Sequence, residues 1–392
     1  MLSKTLGIVF SNMHDTMMGK LTENRTMASV PFGGRYRLVD FVLSNMINSD
    51  VKDVGVITKS NYQSLMDHVG NGKEWDLSRK NGGLTILPPY GRMESVFYRG
   101  RLEALGNIYS YIKESKAELV IMTDCDNIAS IDYSDILRYH KEKDADVTVV
   151  YQNKAIADSV HRDVTTISMD EHRRVNGAYF SPEAKEGNVL LNITVISKRL
   201  LERIVGDAVS TNFYSFTQGV LQMGNQRLKI YGYEYNGYVA NINSMESYYD
   251  CSMELLNPKI RRELFPNERP VYTKVRDEVP VKYGINAVAS NSMIADGCVI
   301  EGTVENSIIF RGVKIGKGAV VKNSIIMQGS VVGENCQLDC VITDKDVMIR
   351  DSRKLNGCKE YPFLLKKDVQ FKKTGSSSLL GRNAFFHQSR GV

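Results

Sequence analysis

A six-residue repeat in the last third of the chain limits its possible folds more than any other feature of the sequence. The segment ENSIIF, which begins at Glu305, returns as KNSIIM at Lys322, and glycine or asparagine falls between repeats. This pattern is typical of a parallel β-helix, because one apolar side chain in six points inward and glycine or asparagine tolerates the positive φ of tight corners. We expect the buried positions to be Ile294, Ile300, Ile309, Ile315, Val321, Met327, Val332 and Leu338.

A solenoid of this kind buries little surface against itself laterally, so we expect it to pack on another domain or on another subunit. The preceding stretch, 257–290, contains Pro258, Pro266, Pro270 and Pro280 and is predicted to be an extended connector. The predicted domains are therefore an α/β domain at 1–256, a linker at 257–290, and the β-helix with its tail at 291–392. The polar end of the chain, FKKTGSSSLLGRNAFFHQSRGV, is expected to be loosely held.

The first 240 residues alternate short apolar runs with amphipathic stretches, which predicts a mostly parallel, Rossmann-like α/β sheet. Ligands of such sheets bind at the carboxyl ends of the strands. The predicted strands are 5–10, 54–58, 119–123 and 146–151. The predicted helices are 61–69, capped by Asn61, together with 99–114 and 133–143.

Composition favours a cytoplasmic protein without a membrane or nucleic-acid partner. Of the 392 residues, 42% are apolar and 24% are charged, and the net charge of +5 contains no long basic block. No apolar run reaches the roughly 20 residues of a membrane span, and the amino terminus lacks a signal-peptide pattern. None of the six cysteines forms C-x-x-C, and no histidine lies near Cys336 and Cys340, so reduced thiols are expected rather than a metal site.

Four blocks of sequence, in order, resemble one known family. They are LTENRTMASVPFGGRYRLVDFVLSNMINSDVKDVGVIT at 21–58, GNGKEWDL at 70–77, LPPYGRMESVFYRG at 87–100 and CDNIASIDYSDIL at 125–137. Together with the hexapeptide repeats, they closely resemble the bacterial glucose-1-phosphate adenylyltransferases. The resemblance implies a nucleotide-binding α/β domain joined to a left-handed β-helix. It also implies a reaction in which ATP and glucose 1-phosphate give ADP-glucose and pyrophosphate with Mg²⁺.

The phosphate-binding groups of that family are missing here. Its Gly-Gly-x-Gly-x-Arg-Leu loop falls on residues 12–18, where Met17 replaces the arginine and Asp15 stands in place of a glycine. The lysine of its next segment is Met27. Loss of one such cationic contact typically costs a few kcal/mol, or about 10²–10³ in rate. His14 is expected to be an ordinary loop residue, and Met17 and Met18 are expected to pack at a subunit or domain contact.

The implied metal and sugar-phosphate ligands are also incomplete. Asp126 occupies the position of one metal-binding aspartate of the family. Asn241 occupies the position of the second, and an amide is a weaker ligand than a carboxylate for Mg²⁺. The family's sugar-phosphate lysine has no counterpart in register, the nearest lysine being Lys185. Arg101 lies where the family has a small residue that leaves room for ligand.

The resemblance therefore implies a noncatalytic, GlgD-type regulatory subunit, with no catalytic residue and no cofactor of its own. Mg²⁺ would belong to a catalytic homologue, which this chain would activate within a hetero-oligomer, expected to be a tetramer. Arg25 and Arg37 are candidates for binding an anionic effector, since the family uses cations of this segment for that purpose. A structural ion-pair role is equally open for both arginines.

Two other functions remain open. One is an active nucleotidyltransferase that uses Asp124 with Asp126 for Mg²⁺ and Lys20 or Arg101 for phosphate. The other is a sensor of nucleotides or sugar phosphates that works without an enzyme partner.

Overall fold

A computed structural model describes residues 4–13, 15–89, 98–155, 164–180, 186–211, 214–222, 224 and 227–366. His14, Lys185, part of the block at 87–100 and the tail from 367 lie outside these ranges. Within them, the predicted order of an α/β domain followed by a β-helix is confirmed. No helix in the described ranges has the length and apolar character that a membrane crossing requires.

The α/β domain contains thirteen strands and eight helices among its described residues. The strands are β1 Thr5–Phe10, β2 Pro31–Phe32, β3 Tyr36–Arg37, β4 Asp53–Ile57, β5 Gly83–Leu87, β6 Leu119–Asp124, β7 Asn127–Ile128, β8 Val147–Ala155, β9 Thr165–Met169, β10 Val175–Phe180, β11 Glu186–Ser197, β12 Ile230–Glu234 and β13 Ala240–Asn241. The helices are α1 Leu38–Asn48, α2 Gln63–Val69, α3 Arg101–Asn107, α4 Tyr109–Glu114, α5 Tyr133–Glu142, α6 Lys198–Thr211, α7 Met245–Glu254 and α8 Pro258–Leu264.

The main sheet has the order β10-β9-β11-β6-β1-β4-β5, with β8 and β12 joined through β11. Strands β6, β1, β4 and β5 are mutually parallel, whereas β11 is antiparallel to β6 and to β8. Every residue of β6 is buried, as expected for a strand covered on both faces. Two apolar cores cover the two faces of this sheet.

Two predicted helices begin or continue differently in the structure, and strand β8 extends four residues beyond the predicted end at 151. Helix α2 begins at Gln63 without a side-chain cap, because Asn61 lies in a left-handed conformation and its amide donates to the carbonyl of Glu23 at 2.9 Å. The predicted Asn61 cap is therefore wrong. The helical stretch 99–114 is interrupted at Ile108 and forms α3 and α4.

The segment 257–290 is only partly an extended connector. Asn257 accepts a hydrogen bond from the amide of Lys259 at 3.0 Å and Pro258 occupies the first helical turn, so the chain forms α8. Two strands of the β-helix also form before residue 291, where the chain can already pair with the next coil. The prolines of this segment predicted that regular structure is interrupted there, but they did not predict helix α8.

The β-helix has three parallel five-stranded sheets. Its strands are β14 Lys282–Tyr283, β15 Val288–Ser290, β16 Met293–Ile294, β17 Val299–Ile300, β18 Thr303–Glu305, β19 Ile308–Ile309, β20 Lys314–Ile315, β21 Val320–Lys322, β22 Ile325–Ile326, β23 Val331–Val332, β24 Gln337–Asp339, β25 Val341–Thr343, β26 Met348–Ile349, β27 Lys354–Asn356 and β28 Phe363–Leu365. Six of the eight predicted inward positions are buried in the core of the solenoid, and Ile294 at the first coil is half-buried. The prediction is wrong for Met327, which is buried against the α/β domain instead.

Corners of successive coils stack on one another through residues with positive φ. Asn306, Asn323 and Cys340 occupy the same corner, with φ of 45°, 47° and 51°. The central coils pair Ile308 with Ile325, a step of 17 residues, which is one fewer than three hexads. This shortened coil explains why the hexapeptide phase slips along the sequence.

The β-helix packs on the α/β domain of its own chain. Ile308, Phe310, Ile325, Met327 and Ile342 are buried in the same core as helix α1 and strand β4, whereas the alternate residues of their strands point into the solenoid. Because successive side chains of a strand point to opposite faces, each II pair of the repeat contributes one residue to each core. The expectation that the solenoid packs on another domain is met within the chain.

Candidate functional site

The carboxyl ends of β1, β4 and β6 form one edge of the parallel part of the sheet. A cleft of about 140 Å³ opens there, lined among others by Phe10, Asn12, Thr58, Tyr98 and Gly100. Parallel α/β sheets bind their ligands at this edge, since loops after adjacent strands meet there. The loop after β1 and the beginning of α3 decide what this cleft can hold.

The loop after β1 is held together by hydrogen bonds to Asp15, one of its own residues. Asp15 Oδ1 accepts a hydrogen bond from the amide of Met27 at 2.7 Å, and Oδ2 accepts from the side chain of Asn12. The carbonyl of Asp15 accepts from the Thr22 hydroxyl at 2.5 Å. A backbone amide that would suit a phosphate oxygen is thus already bound to an anion of the same chain.

Met17 and Met27, which replace cations of the family, and the neighbouring Met18 lie in different surroundings. Met18 and Met27 are buried in the core of the α/β domain, and Met17 is half-buried. Met18 therefore lines no open pocket among the described residues, and the expected packing of Met17 and Met18 at a subunit or domain contact stays a prediction. Lys20 is exposed in a short 3₁₀ turn, Gly19–Leu21.

Arg101 and Asp124 form an ion pair in the interior of the site. Arg101 is the first residue of α3 and Asp124 is the last residue of β6, and a guanidinium nitrogen of Arg101 contacts Asp124 Oδ2. Side-chain exposure is 16% for Arg101 and 1% for Asp124. The guanidinium carbon also lies 5.8 Å from the ring centroid of Phe10. A fixed cation therefore stands beside the most buried carboxylate of this edge.

Asp126 and Asn241, which the resemblance places at the two metal-ligand positions, are linked through an intermediate residue. Strand β13 pairs with β7 so that Asn241 lies opposite Asn127, and the Asn241 amide donates to Asn127 Oδ1 at 2.8 Å. The Asn127 amide in turn donates to Asp126 Oδ1 at 2.9 Å. Asn127 was not singled out from the sequence, although its place directly after Asp126 was visible.

These residues do not fit a divalent cation. Asp124 is paired with Arg101, Asp126 accepts from an amide, and Asn241 presents its amide nitrogen to this network. Among the residues that the structure describes, no group of three His, Cys, Asp or Glu side chains could hold a metal ion. Cys125 lies between the two aspartates, and burial first, then their negative charge, raises the pKa of its thiol well above the ordinary value. All six cysteines are free thiols.

A second candidate site lies where the α/β domain meets the β-helix. Six basic side chains from both domains line one crevice, which we call the junction cluster. Its members are Arg35, Arg37, Lys274, Arg276, Arg311 and Lys345. Arg311 is paired with Asp296 at 3.1 Å, and Lys274 donates to the carbonyl of Asp67 at 2.5 Å.

Burial and the repulsion between like charges disfavour the charged forms of the basic side chains in this cluster. Burial, and then the positive charges of Arg37 and Arg25, lower the pKa of Lys345 to about 7. Burial is the main cause that lowers the pKa of Arg37 to about 10; the charge of Asp40 is the next largest effect and opposes it, and the charges of Arg25 and Arg276 lower it further. An anion placed here would relieve this repulsion and favour the charged form of each base.

The two effector candidates named from the sequence both lie at this junction. Arg25 is buried and donates two hydrogen bonds, of 2.7 and 2.9 Å, to the Asp344 carboxylate of the β-helix. Arg37 donates to the carbonyl and hydroxyl of Ser64 at 2.5 and 3.0 Å and belongs to the junction cluster. Arg25 therefore has the structural ion pair that the sequence left open, and Arg37 lines the crevice. Sequence reasoning missed Lys345 and Arg276, which lie far away along the chain.

Comparison with known proteins agrees with both parts of the fold. The chain matches the nucleotidyl transferase family over residues 16–245 and the GlmU-like, C-terminal hexapeptide family over residues 279–357. It is 36% identical over 367 residues to a Bacillus subtilis (strain 168) protein named "Glycogen biosynthesis protein GlgD", which covers 94% of this chain and 97% of the relative. The protein of the same name from Geobacillus stearothermophilus is 39% identical over 368 residues, with the same coverage of each chain.

A third relative carries the name of an enzyme. The "Glucose-1-phosphate adenylyltransferase" of Thermotoga neapolitana is 32% identical over 325 residues, which cover 82% of this chain and 77% of the relative. The chain thus belongs to the bacterial glucose-1-phosphate adenylyltransferase family of nucleotidyl transferases, which also includes its GlgD-named relatives.

Proposed function

We propose that this chain takes part in glycogen biosynthesis as a noncatalytic, regulatory subunit of glucose-1-phosphate adenylyltransferase. It would support ADP-glucose synthesis by activating a catalytic homologue in a hetero-oligomer. The relatives named GlgD and the enzyme relative support the pathway and the partner. The observation that carries the noncatalytic part is the buried ion pair between Arg101 and Asp124.

The reasoning from this ion pair is electrostatic. Transfer of a nucleotidyl group builds negative charge on phosphate oxygens, which an enzyme stabilises with Mg²⁺ and cationic side chains. Here Asp124 is neutralised by Arg101, so its attraction for a divalent cation is reduced. Asp15 holds the Met27 amide, so an incoming phosphate would meet a carboxylate in the loop after β1.

Regulation of a partner requires a difference in binding between two conformational states of that partner. This chain can raise the partner's activity only if it binds the active state more tightly than the inactive one. The junction cluster supports a role for an anionic effector in setting this preference. Its positively charged side chains come from elements of both domains. An anion bound there would be felt by both domains at once.

The test compares the purified chain, a catalytic homologue from the same cell, and the two co-expressed. ADP-glucose formation is measured with ATP, glucose 1-phosphate and Mg²⁺. We expect no product above background from this chain alone and a higher kcat, or a changed effector response, for the co-expressed pair. Equal kinetics with and without this chain would refute the regulatory part of the proposal.

The rival hypothesis of an active enzyme has a direct control. Asp126→Asn in this chain should leave the activity of the co-expressed pair unchanged, whereas the matching change in the catalytic homologue should abolish it. Product formation by this chain alone, lost on Asp126→Asn, would establish the rearranged active site instead. Binding of ATP or sugar phosphate by the chain with no effect on any partner would favour the sensor.

A further inference from the structure

We propose that a tyrosine-lined cleft on the α/β domain, whose lining residues differ from those of both sites described above, binds a neutral oligosaccharide. The cleft measures about 340 Å³, which lies within the range of small-molecule sites of about 300–1,000 Å³. It lies between the start of α5, the end of β12 and the end of α8. Its main side chains are Tyr233, Tyr235, Tyr238, Arg262, Glu263 and Arg269. This inference does not depend on the proposed regulatory function.

The aromatic side chains are held in place by the fold. Tyr235 donates its hydroxyl to the carbonyl of Ser130 at 3.1 Å, and Tyr238 donates to Glu254 at 2.6 Å. Tyr233 packs edge-on against Tyr139, with ring centroids 5.4 Å apart. Three half-buried rings therefore offer rigid surfaces with polar tips, which suit a ligand with one apolar and one polar aspect.

Several polar groups in the lining lack a hydrogen-bond or ion-pair partner within the part of the chain that the structure describes. The side chains of Arg262 and Arg269 make no hydrogen bond or ion pair with the described residues, and neither does the hydroxyl of Tyr233. Ser130 is 5% exposed, and its Oγ lacks a hydrogen-bond partner among these residues. A buried polar atom without a partner costs free energy, so a ligand that supplies one would be stabilised.

The balance of charge points to a neutral ligand. The guanidinium groups of Arg262 and Arg269 face a lining that also contains the carboxylates of Asp132, Asp135 and Glu263. An anion would be repelled by the carboxylates, and a cation by the arginines. Sugar hydroxyls both donate and accept, so adjacent hydroxyls can bridge the two kinds of group, while the C–H face of a pyranose ring packs on tyrosine.

The experiment uses the full-length chain and two probes, maltoheptaose in calorimetry and soluble glycogen in native affinity electrophoresis. We expect saturable binding of maltoheptaose and slower migration in the glycogen gel. Arg262→Ala with Arg269→Ala should weaken binding about tenfold or more, as should Tyr233→Ala. Tyr233→Phe should retain most of the binding because it keeps the ring, and Tyr361→Ala, an 80% exposed tyrosine of the β-helix, should match the unmodified chain.

Each other outcome overturns the inference. No retardation by glycogen and no heat from maltoheptaose would exclude an oligosaccharide site, given a normal melting curve. Equal binding by all variants would place the sugar elsewhere. Tighter binding of orthophosphate or glucose 1-phosphate, lost in the arginine double variant, would make the cleft an anion site. Loss of hetero-oligomer assembly in that variant, without sugar binding, would make it a subunit contact.

Discussion

At the scale of single residues, the charged side chains at the sheet edge are paired with groups of the same chain. Arg101 stands as a cation beside Asp124, and Asp15 stands as an anion beside the Met27 amide. Both pairs are covalently part of the chain, so they cost no binding entropy and are present at all times. The charges of Asp124 and Asp15 are therefore satisfied by groups of the chain itself, as the proposed noncatalytic role would require.

Removal of the Arg101 guanidinium should leave the buried Asp124 carboxylate without a counter-charge and so destabilise the fold. Arg101→Ala is expected to lower the free energy of unfolding by about 3–5 kcal/mol, because Asp124 would remain buried without its partner. Arg101→Ala combined with Asp124→Ala should lose less than the single variant. Urea unfolding measures both, and Arg99→Ala, which removes an exposed ion pair with Glu103, is the control expected to change little. A single-variant loss no larger than that of the control would show that the pair carries no stability.

Lys345 predicts a specific pH dependence for anion binding at the junction cluster. Its pKa of about 7 lies below the ordinary lysine value, so it is charged below pH 7 and mostly neutral above it. Binding of a dianion above pH 7 must take up a proton, and the affinity should therefore fall by up to about tenfold per pH unit.

Sulfate is the probe for this test, since its charge stays constant between pH 6 and 9. The measurement is the sulfate concentration that gives half of the maximal rise in Tm, at several pH values. Lys345→Arg should keep the binding and flatten its pH dependence. An affinity that is constant from pH 6 to 9 in the unmodified chain would contradict the role assigned to Lys345.

At the scale of elements, the β-helix and the α/β domain share one core. Strands β19, β22 and β25 turn alternate side chains towards the solenoid and towards the domain. Ile308, Ile325 and Ile342 stack at one position of successive coils and form the row that faces the domain. This row was not predicted, because the hexapeptide pattern marks only the inward residues.

A substitution in that row should act on both domains. Ile325→Ala is expected to cost about 2–5 kcal/mol, since it opens a cavity in a fully buried contact between β22 and the α/β domain. Ile285→Ala, at a fully exposed position near the first coil, should leave the free energy of unfolding nearly unchanged. Thermal unfolding followed by far-ultraviolet circular dichroism measures the difference. Equal stability of the two variants would mean that the domains are not coupled through this row.

For the whole molecule, the proposal requires that this chain assembles with a catalytic homologue. Co-expression with the catalytic homologue should give a particle that contains both chains and is larger than either subunit, with four subunits expected from the family. Mass photometry and denaturing gels determine its mass and composition. Two separate particles at working concentration would contradict the proposed assembly.

The whole assembly should also depend on the junction between domains. Arg25→Ala removes the ion pair with Asp344, which links the α/β domain to the β-helix. We expect the co-expressed pair to keep its maximal rate but to need more effector, since the anion site would be less well ordered. Lys322→Ala, which removes an ion pair with Glu305 inside the β-helix and outside the junction cluster, is the matched control expected to leave the effector response unchanged. An unchanged effector response in Arg25→Ala would separate the ion pair from regulation.

The sequence by itself determined the order of domains and most of the inward row of the β-helix, and it predicts the loss of phosphate ligands. These depend on local periodicity and on residue type at fixed positions, as with Ile309, Ile315 and Met17. The predictions of a helix cap at Asn61 and of a fully extended connector at 257–290 were wrong. The Asn61 side chain donates to the Glu23 carbonyl instead of capping a helix.

The tertiary structure alone decided which charges meet. Arg25 and Asp344 lie 319 residues apart, and Lys345 approaches Arg37 only because the β-helix folds back on the α/β domain. The pairing of Arg101 with Asp124 depends in the same way on α3 beginning beside the end of β6. Coulomb interactions act through space, so neither their partners nor their effect on pKa can be deduced from distance along the chain.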